Sequence, residues 1–217
     1  MTEEAQLYGI VILGAMNPRI HHPAWYKAMD ILTPEESEAA LGQNLTCTPF
    51  VAQFQALGLL IQCFGDRWEI QSAEAKNKDR VLSIASKTFE VLTHTPVGGF
   101  GVNFHFVRPT RLPSVGGHLA QLIDTLPIGR KHDENEQAQF TMVTRFPEHV
   151  ITETLSEVPE APPSFRLSFN IHYQMTKEVA FYFDLTPLLQ KAYQEGFVET
   201  LERTRRLVQA LESVVKE

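Results

Sequence analysis

The sequence predicts an α+β fold: a curved, saddle-shaped antiparallel β-sheet with helices packed on one face, pseudo-duplicated meander-plus-helix halves, and a long C-terminal α-helix. Three observations predict it. The pattern Val-Asn-Phe-His-Phe at 102–106 recurs as Phe-Asn-Ile-His-Tyr at 169–173. Alternate side chains of a strand point to opposite faces, so each copy sorts its Asn and His to one face and its apolar residues to the other. The fourteen phenylalanines fall mostly in strand-like runs, which suits a sheet packed against helices. In both halves, strand runs punctuated by turn residues precede a helix with a three- and four-residue apolar period.

The elements follow in order. Leu7–Leu13, with Ile10, Val11 and Ile12, reads as a buried strand that Gly14 and Asn17-Pro18 end. Residues 23–30 carry a helical turn or two. Thr33-Pro34-Glu35-Glu36 places Thr at the N-cap, Pro at N1 and Glu at N3 of a short helix that stops at Gly42. Residues 47–54, 59–64 and 67–71, separated by Gly58 and Gly65-Asp66, read as a three-stranded antiparallel meander. A helix follows with Val81, Leu82, Ala85, Phe89 and Leu92 in one stripe. Pro96 and Gly98-Gly99 stop it before the first Asn-x-His strand, at about 99–108. Gly116-Gly117 opens a short helix over 118–125, and 129–137 reads as a charged, solvated loop.

Residues 139–146 and 150–155 alternate as strands, 159–163 form a Pro-rich connection, and 165–173 are the second Asn-x-His strand. Val179, Phe181 and Phe183 share one face of a further strand. Thr186-Pro187 repeats the N-cap and N1 pair, and the helix it opens runs to about 215, roughly 40 Å at 1.5 Å per residue. The whole is one domain over 1–217, divisible into pseudo-repeat halves 1–110 and 111–217.

The last helix carries Leu188, Leu189, Ala192, Tyr193, Phe197 and Leu201 in one stripe, continued at near-heptad steps by Thr204, Val208, Leu211 and Val215. One reading lays it across its own sheet. The other lets its far end overhang, because a typical strand spans only about 20 Å. Leu207, Val208, Leu211, Val214 and Val215 would then bury against a second copy or a protein partner.

A formal net charge of −7, with the densest basic clusters at Arg203, Arg205 and Arg206 and at Arg108 with Arg111, argues against nucleic acid. No stretch reaches the roughly 18 apolar residues of a membrane span, and the first residues lack the pattern of a secretory signal, so a cytoplasmic location is expected. Cys47 and Cys63 both fall in strand runs and read as buried free thiols.

No metal, cofactor or catalytic residue is assigned. There is no His-Glu-x-x-His, Cys-x-x-Cys or Gly-x-Ser-x-Gly, and His21-His22 are consecutive, a spacing that suits neither a helix pair nor one strand face. The segment 14–25 reads as a proline-fixed strap with Trp25 plugging the core, or as a recognition surface.

Strand parity puts Asn103 and His105 on one face, and Arg166, Ser168, Asn170 and His172 on one face of the second strand. Should the two strands meet, these six groups could hold a carboxylate, a phosphate-bearing metabolite or a metal ion. The plainer reading is the ordinary wet face of an antiparallel sheet. Two function classes result. The first is a non-enzymatic interaction or assembly protein that oligomerises or binds a protein partner. The alternative is a small-anion-binding domain around His105 and His172, with an enzyme using those histidines as acid or base ranked behind both.

Overall fold

A computed structural model of the chain describes residues 5–42, 44–109, 139–158, 164–175 and 184–214, with side chains of the last helix described to Ala210. Its strands are β1 (Leu7–Gly14), β2 (Thr46–Cys47), β3 (Val51–Ala56), β4 (Leu59–Phe64), β5 (Arg67–Ser72), β6 (Val97–Pro109), β7 (Gln139–Arg145), β8 (His149–Val158) and β9 (Ser164–Gln174). Its helices are α1 (Pro23–Ala28), α2 (Pro34–Ala40), α3 (Lys78–Val91) and α4 (Thr186–Val214). The strands form one open antiparallel sheet in the order β2-β3-β4-β5-β1-β6-β9-β8-β7. The expected helix over 118–125, the loop over 129–137, the connection 159–163 and the strand over 179–183 lie outside the described residues.

The strand order is symmetric about the contact between β1 and β6. From β1 the chain passes through α1 and α2 to the meander β3–β5 and then α3. From β6 it leads to the meander β7–β9 and then α4. β5 returns beside β1, and β9 beside β6. The recurring unit therefore opens at β1 and again at β6. By this symmetry β6 corresponds to β1 and β9 to β5, so the two Asn-x-His strands are neighbours inside one unit, not equivalent strands of two.

Period-two alternation sorts the sheet into two faces. One face carries Tyr8, Ile10, Ile12, Phe54, Trp68, Phe100, Phe104, Phe106, Phe165 and Phe169, all buried. The helices pack here: Phe54 meets Tyr26 at 5.4 Å, Trp68 meets Phe89 at 5.4 Å, and Phe104 meets Tyr193 at 5.3 Å between ring centroids. At one end of the sheet, stacked rings tie three strands together, with Phe100–Tyr173 at 4.8 Å, Tyr173–His149 at 5.0 Å and His149–Phe146 at 4.6 Å.

The strap over 14–25 is fixed by polar contacts. His22 caps α1 by accepting the Ala24 N–H at Nδ1 (3.1 Å). The residue that plugs the core is Tyr26, not Trp25, which is half-buried and meets Tyr26 edge-on. The Trp68 indole donates to the Tyr26 hydroxyl (2.8 Å), which lies 2.7 Å from Nδ1 of buried His21. A buried hydroxyl needs such partners, and only position 26 finds both. Burial lowers the His21 pKa to about 4, so the ring is neutral and Nδ1 can accept the tyrosine proton.

The capping box at α2 forms as expected: Thr33 Oγ1 accepts the Glu36 N–H (3.1 Å) and Glu36 accepts the Thr33 N–H (2.7 Å). Arg80 of α3 then forks onto Glu36 and also donates to the Ile31 carbonyl (2.6 Å), locking α3 to the α2 start. Burial opposes the charge on Glu36, but Arg80 and the Thr33 N–H outweigh it and hold its pKa below the ordinary carboxylate value.

At α4 the cap differs from expectation. Asp184 Oδ1 accepts the Thr186 N–H (3.0 Å), placing a carboxylate at the positive end of the helix. The helix buries Leu189, Ala192, Tyr193, Gly196, Thr200 and Thr204 against the sheet. The two threonine hydroxyls bond back to the Phe197 and Thr200 carbonyls (3.0 and 2.8 Å). Of the two cysteines, both free, Cys63 is buried but Cys47, on the two-residue edge strand β2, is exposed. Among the described residues no helix is long and apolar enough to cross a membrane.

The buried His21 makes stability depend on pH. Its folded pKa, about 4, lies below the ordinary 6.5, so the unfolded chain takes up the proton first. Stability is complete above pH 6.5 and is lost as pH falls toward 4. The loss is at most about 3 kcal/mol. Urea unfolding across this range should show that slope in the parent chain and a shallower one in His21→Gln; equal slopes would remove His21 as its source.

Candidate functional site on the open sheet face

β6 and β9 pair directly, with Asn103 opposite Asn170, His105 opposite Ser168, Gly101 opposite His172 and Val107 opposite Arg166. All six residues expected to share a face do so, on the side away from the helices. At the centre the Asn170 amide donates to Asn103 Oδ1 at 2.6 Å.

The histidines do not converge. Each sits two residues beyond its asparagine, and antiparallel strands run in opposite directions. The imidazoles are thus displaced to opposite sides of the amide pair, four residues or about 13 Å apart along the strands. A site using both rings on one small ligand does not form. Two antiparallel copies of a motif can match like with like at one position only, and the register makes that position asparagine, leaving His105 opposite Ser168 and His172 opposite Gly101.

Glycines open the surface around the pair. A Cβ on Gly99 would stand 2.8 Å from the Tyr173 carbonyl oxygen and 3.3 Å from His172 Cε1, so this position must be bare for the strands to close and the ring to lie over β6. On β1, Gly9 lies between Asn103 and Gln71. It floors a shallow depression of about 180 Å³ lined by Leu7, Val11, Glu69, Gln71, Asn103 and His105. Sequence reading missed Gly9, Glu69 and Gln71, because β1 and β5 carry no Asn-x-His motif. A glycine inside a strand is the signal that could have found the spot.

His105 is half-buried. Burial, and then the positive charge of Arg166, lower its pKa from the ordinary value, so the ring is neutral near pH 7. Glu69 sits 3.8 Å from the Arg67 guanidinium. The depression thus offers amides, a neutral imidazole and a partly compensated carboxylate, with Arg166 as the exposed cation beyond it. Among the described residues no three His, Cys, Asp or Glu side chains are grouped to hold a metal ion.

The second candidate surface lies on the helix face at the β7 edge. Phe140, Met142, Glu153, Leu155, Leu167, Phe169, Arg203 and Leu207 line a groove of about 120 Å³ between the outer strands and α4. Arg203 pairs there with Glu153 of β8 and with Glu199 one helical turn back (2.8 Å), tying α4 to the sheet. Of the expected partner-binding residues, Leu207 lines this groove and Val208 packs half-buried against the core. The side chains of Leu211, Val214 and Val215 lie outside the described residues. Phe140 and Met142 were missed, because strand alternation alone did not show that β7 would be an edge.

No family model matches the chain, and no curated protein does. Among solved structures, the crystal structure of the di-domain ARO/CYC StfQ from the steffimycin biosynthetic pathway aligns over 97% of this chain and 99% of that chain, at 10% identity and a TM-score of 0.24. An overlap that loose carries no argument about what this chain does.

An NMR pH titration of the imidazole signals should place the His105 midpoint below 6.5. Arg166→Ala should move it upward, because a like charge is removed. A midpoint unmoved by that substitution would take Arg166 out of the His105 environment.

Proposed function

We propose that this chain is a non-enzymatic, cytoplasmic assembly protein that oligomerises or binds a protein partner. The observation that carries the reading is the β7 edge. Phe140 and Met142, on one face of the strand, are 41% and 42% exposed and line the apolar groove beside Leu207, and Val143, on the other face, is 50% exposed. Edge strands that stay single are ordinarily blunted by charge, proline or a bulge, and contiguous exposed apolar surface marks interaction sites. Two free thiols fit a reducing compartment. Sedimentation over a wide concentration range should show mass rising with concentration. Truncation after Arg206 should weaken association about tenfold, equivalent to about 1.4 kcal/mol. A monomer unchanged before and after truncation would overturn the reading.

A second reading, a small-anion site on the open face, draws on the depression at Gly9 and the exposed Arg166 guanidinium beside a half-buried imidazole. Phosphate or a small carboxylate at 100 times its Kd should stabilise the fold by about 2.7 kcal/mol. That thermal shift should vanish in Arg166→Ala. No shift with any such anion would remove this reading.

A further inference from the structure

We propose that the partner is a second copy of this chain, and that β7 pairs antiparallel with its own mate across a two-fold axis, joining two nine-stranded sheets into one. The proposal rests on the assembly reading above and names its surface.

β7 bonds β8 along its whole inner edge, from Gln139 opposite Ser156 to Arg145 opposite Val150, with no break in register. Its outer edge has no strand beside it among the described residues. The other end of the sheet is built differently. There β3, the counterpart of β7 in the repeat, is covered by β2 through Thr46 opposite Gln53 and Cys47 opposite Ala52, with α2 packed against it. The sequence of β7 carries none of the residues that keep an edge single. Gln139-Phe140-Thr141-Met142-Val143-Thr144-Arg145 contains no proline, no glycine, no lysine and one charge, at its last position.

The same sequence is complementary to itself. The two-fold register that uses all seven residues centres on Met142. It sets Thr141 against Val143, Phe140 against Thr144 and Gln139 against Arg145. No like charges oppose one another, and β-branched or aromatic residues meet across the pair. A two-fold axis perpendicular to the sheet keeps each face with its like. Phe140 and Met142 of both copies stay on the helix side, so the two grooves beside Leu207 merge into one apolar surface beneath the joined strands. The contact uses the same patch on both copies, and among the described residues each copy has one such edge, so it closes at a dimer.

The test is a charge swap at the two-fold axis. Met142→Lys or Met142→Glu alone sets two like charges opposite each other, and each should weaken the dimer at least tenfold by sedimentation or native mass spectrometry. Mixed together, the two variants should recover a dimer of mixed mass. A parent dimer that persists in both variants, or a mixture that fails to recover, overturns the β7 contact and leaves assembly through another surface standing. A parent chain that is monomeric at every concentration overturns both. Hydrogen exchange on the unaltered chain covers the case in which a variant misfolds. Outward-facing β7 amides should slow as concentration rises while those of β3 stay constant, and β7 amides indifferent to concentration overturn the pairing.

Discussion

The structure depends on how closely α4 lies on the sheet at Gly196. A Cβ at this position would stand 2.8 Å from Ile171 Cδ1 and 3.4 Å from Val102 Cγ2. The bare backbone lets the helix settle directly over β6 and β9. Phe197 then reaches Tyr8 and Phe104 at 5.9 and 5.5 Å, and the Lys78 ammonium lies 3.6 Å above its ring. Thr200 and Thr204 continue the close approach because their hydroxyls are satisfied within the helix. That one-sided burial decides the rest. Once the rings of β6 and β9 are committed to the helix face, Asn103, His105, Asn170 and His172 must face the other way.

The duplicated topology explains both the regularity of the sheet and its one asymmetry. Each unit sends its last strand back beside its first, so the centre is made by β1 and β6 and the meanders run outward. On one side the meander ends under β2 and α2. On the other it ends at β7, whose described surroundings on the helix face are β8, β9 and the late turns of α4. Arg203, held by Glu153 and Glu199, fixes those turns and makes Leu207 part of the groove wall. The β7 edge, which the sequence did not show, and Leu207 of the late helix, which it singled out, belong to one surface.

Local chemistry was readable where its partners are close in sequence. The Thr33–Glu36 box is an example, since both halves lie within one turn. The α4 start was misassigned for the same kind of reason: Thr186-Pro187 looks like a cap, yet Asp184, two residues earlier, offers a charged acceptor to the Thr186 N–H itself. Trp25 and Tyr26 could not be ranked from sequence, because the choice rests on whether Trp68 and His21 arrive to satisfy a buried hydroxyl. The Asn-x-His motif revealed the polar face through its period of two, but the convergence of its histidines was a matter of strand direction.

By itself the sequence determined the periodicities: which runs are strands, which are helices, and which side chains share a face, since these follow from backbone geometry within a few residues. Tertiary structure alone decided who stands opposite whom. Antiparallel pairing brought Asn170 to Asn103 and carried the two imidazoles apart. The return of β5 beside β1 placed Gln71 across Gly9 from Asn103. Strand order left β7 at an edge of the described sheet. Each of these is a register or neighbour relation between distant segments, set by the packing of the whole apolar face rather than by any residue's own preference.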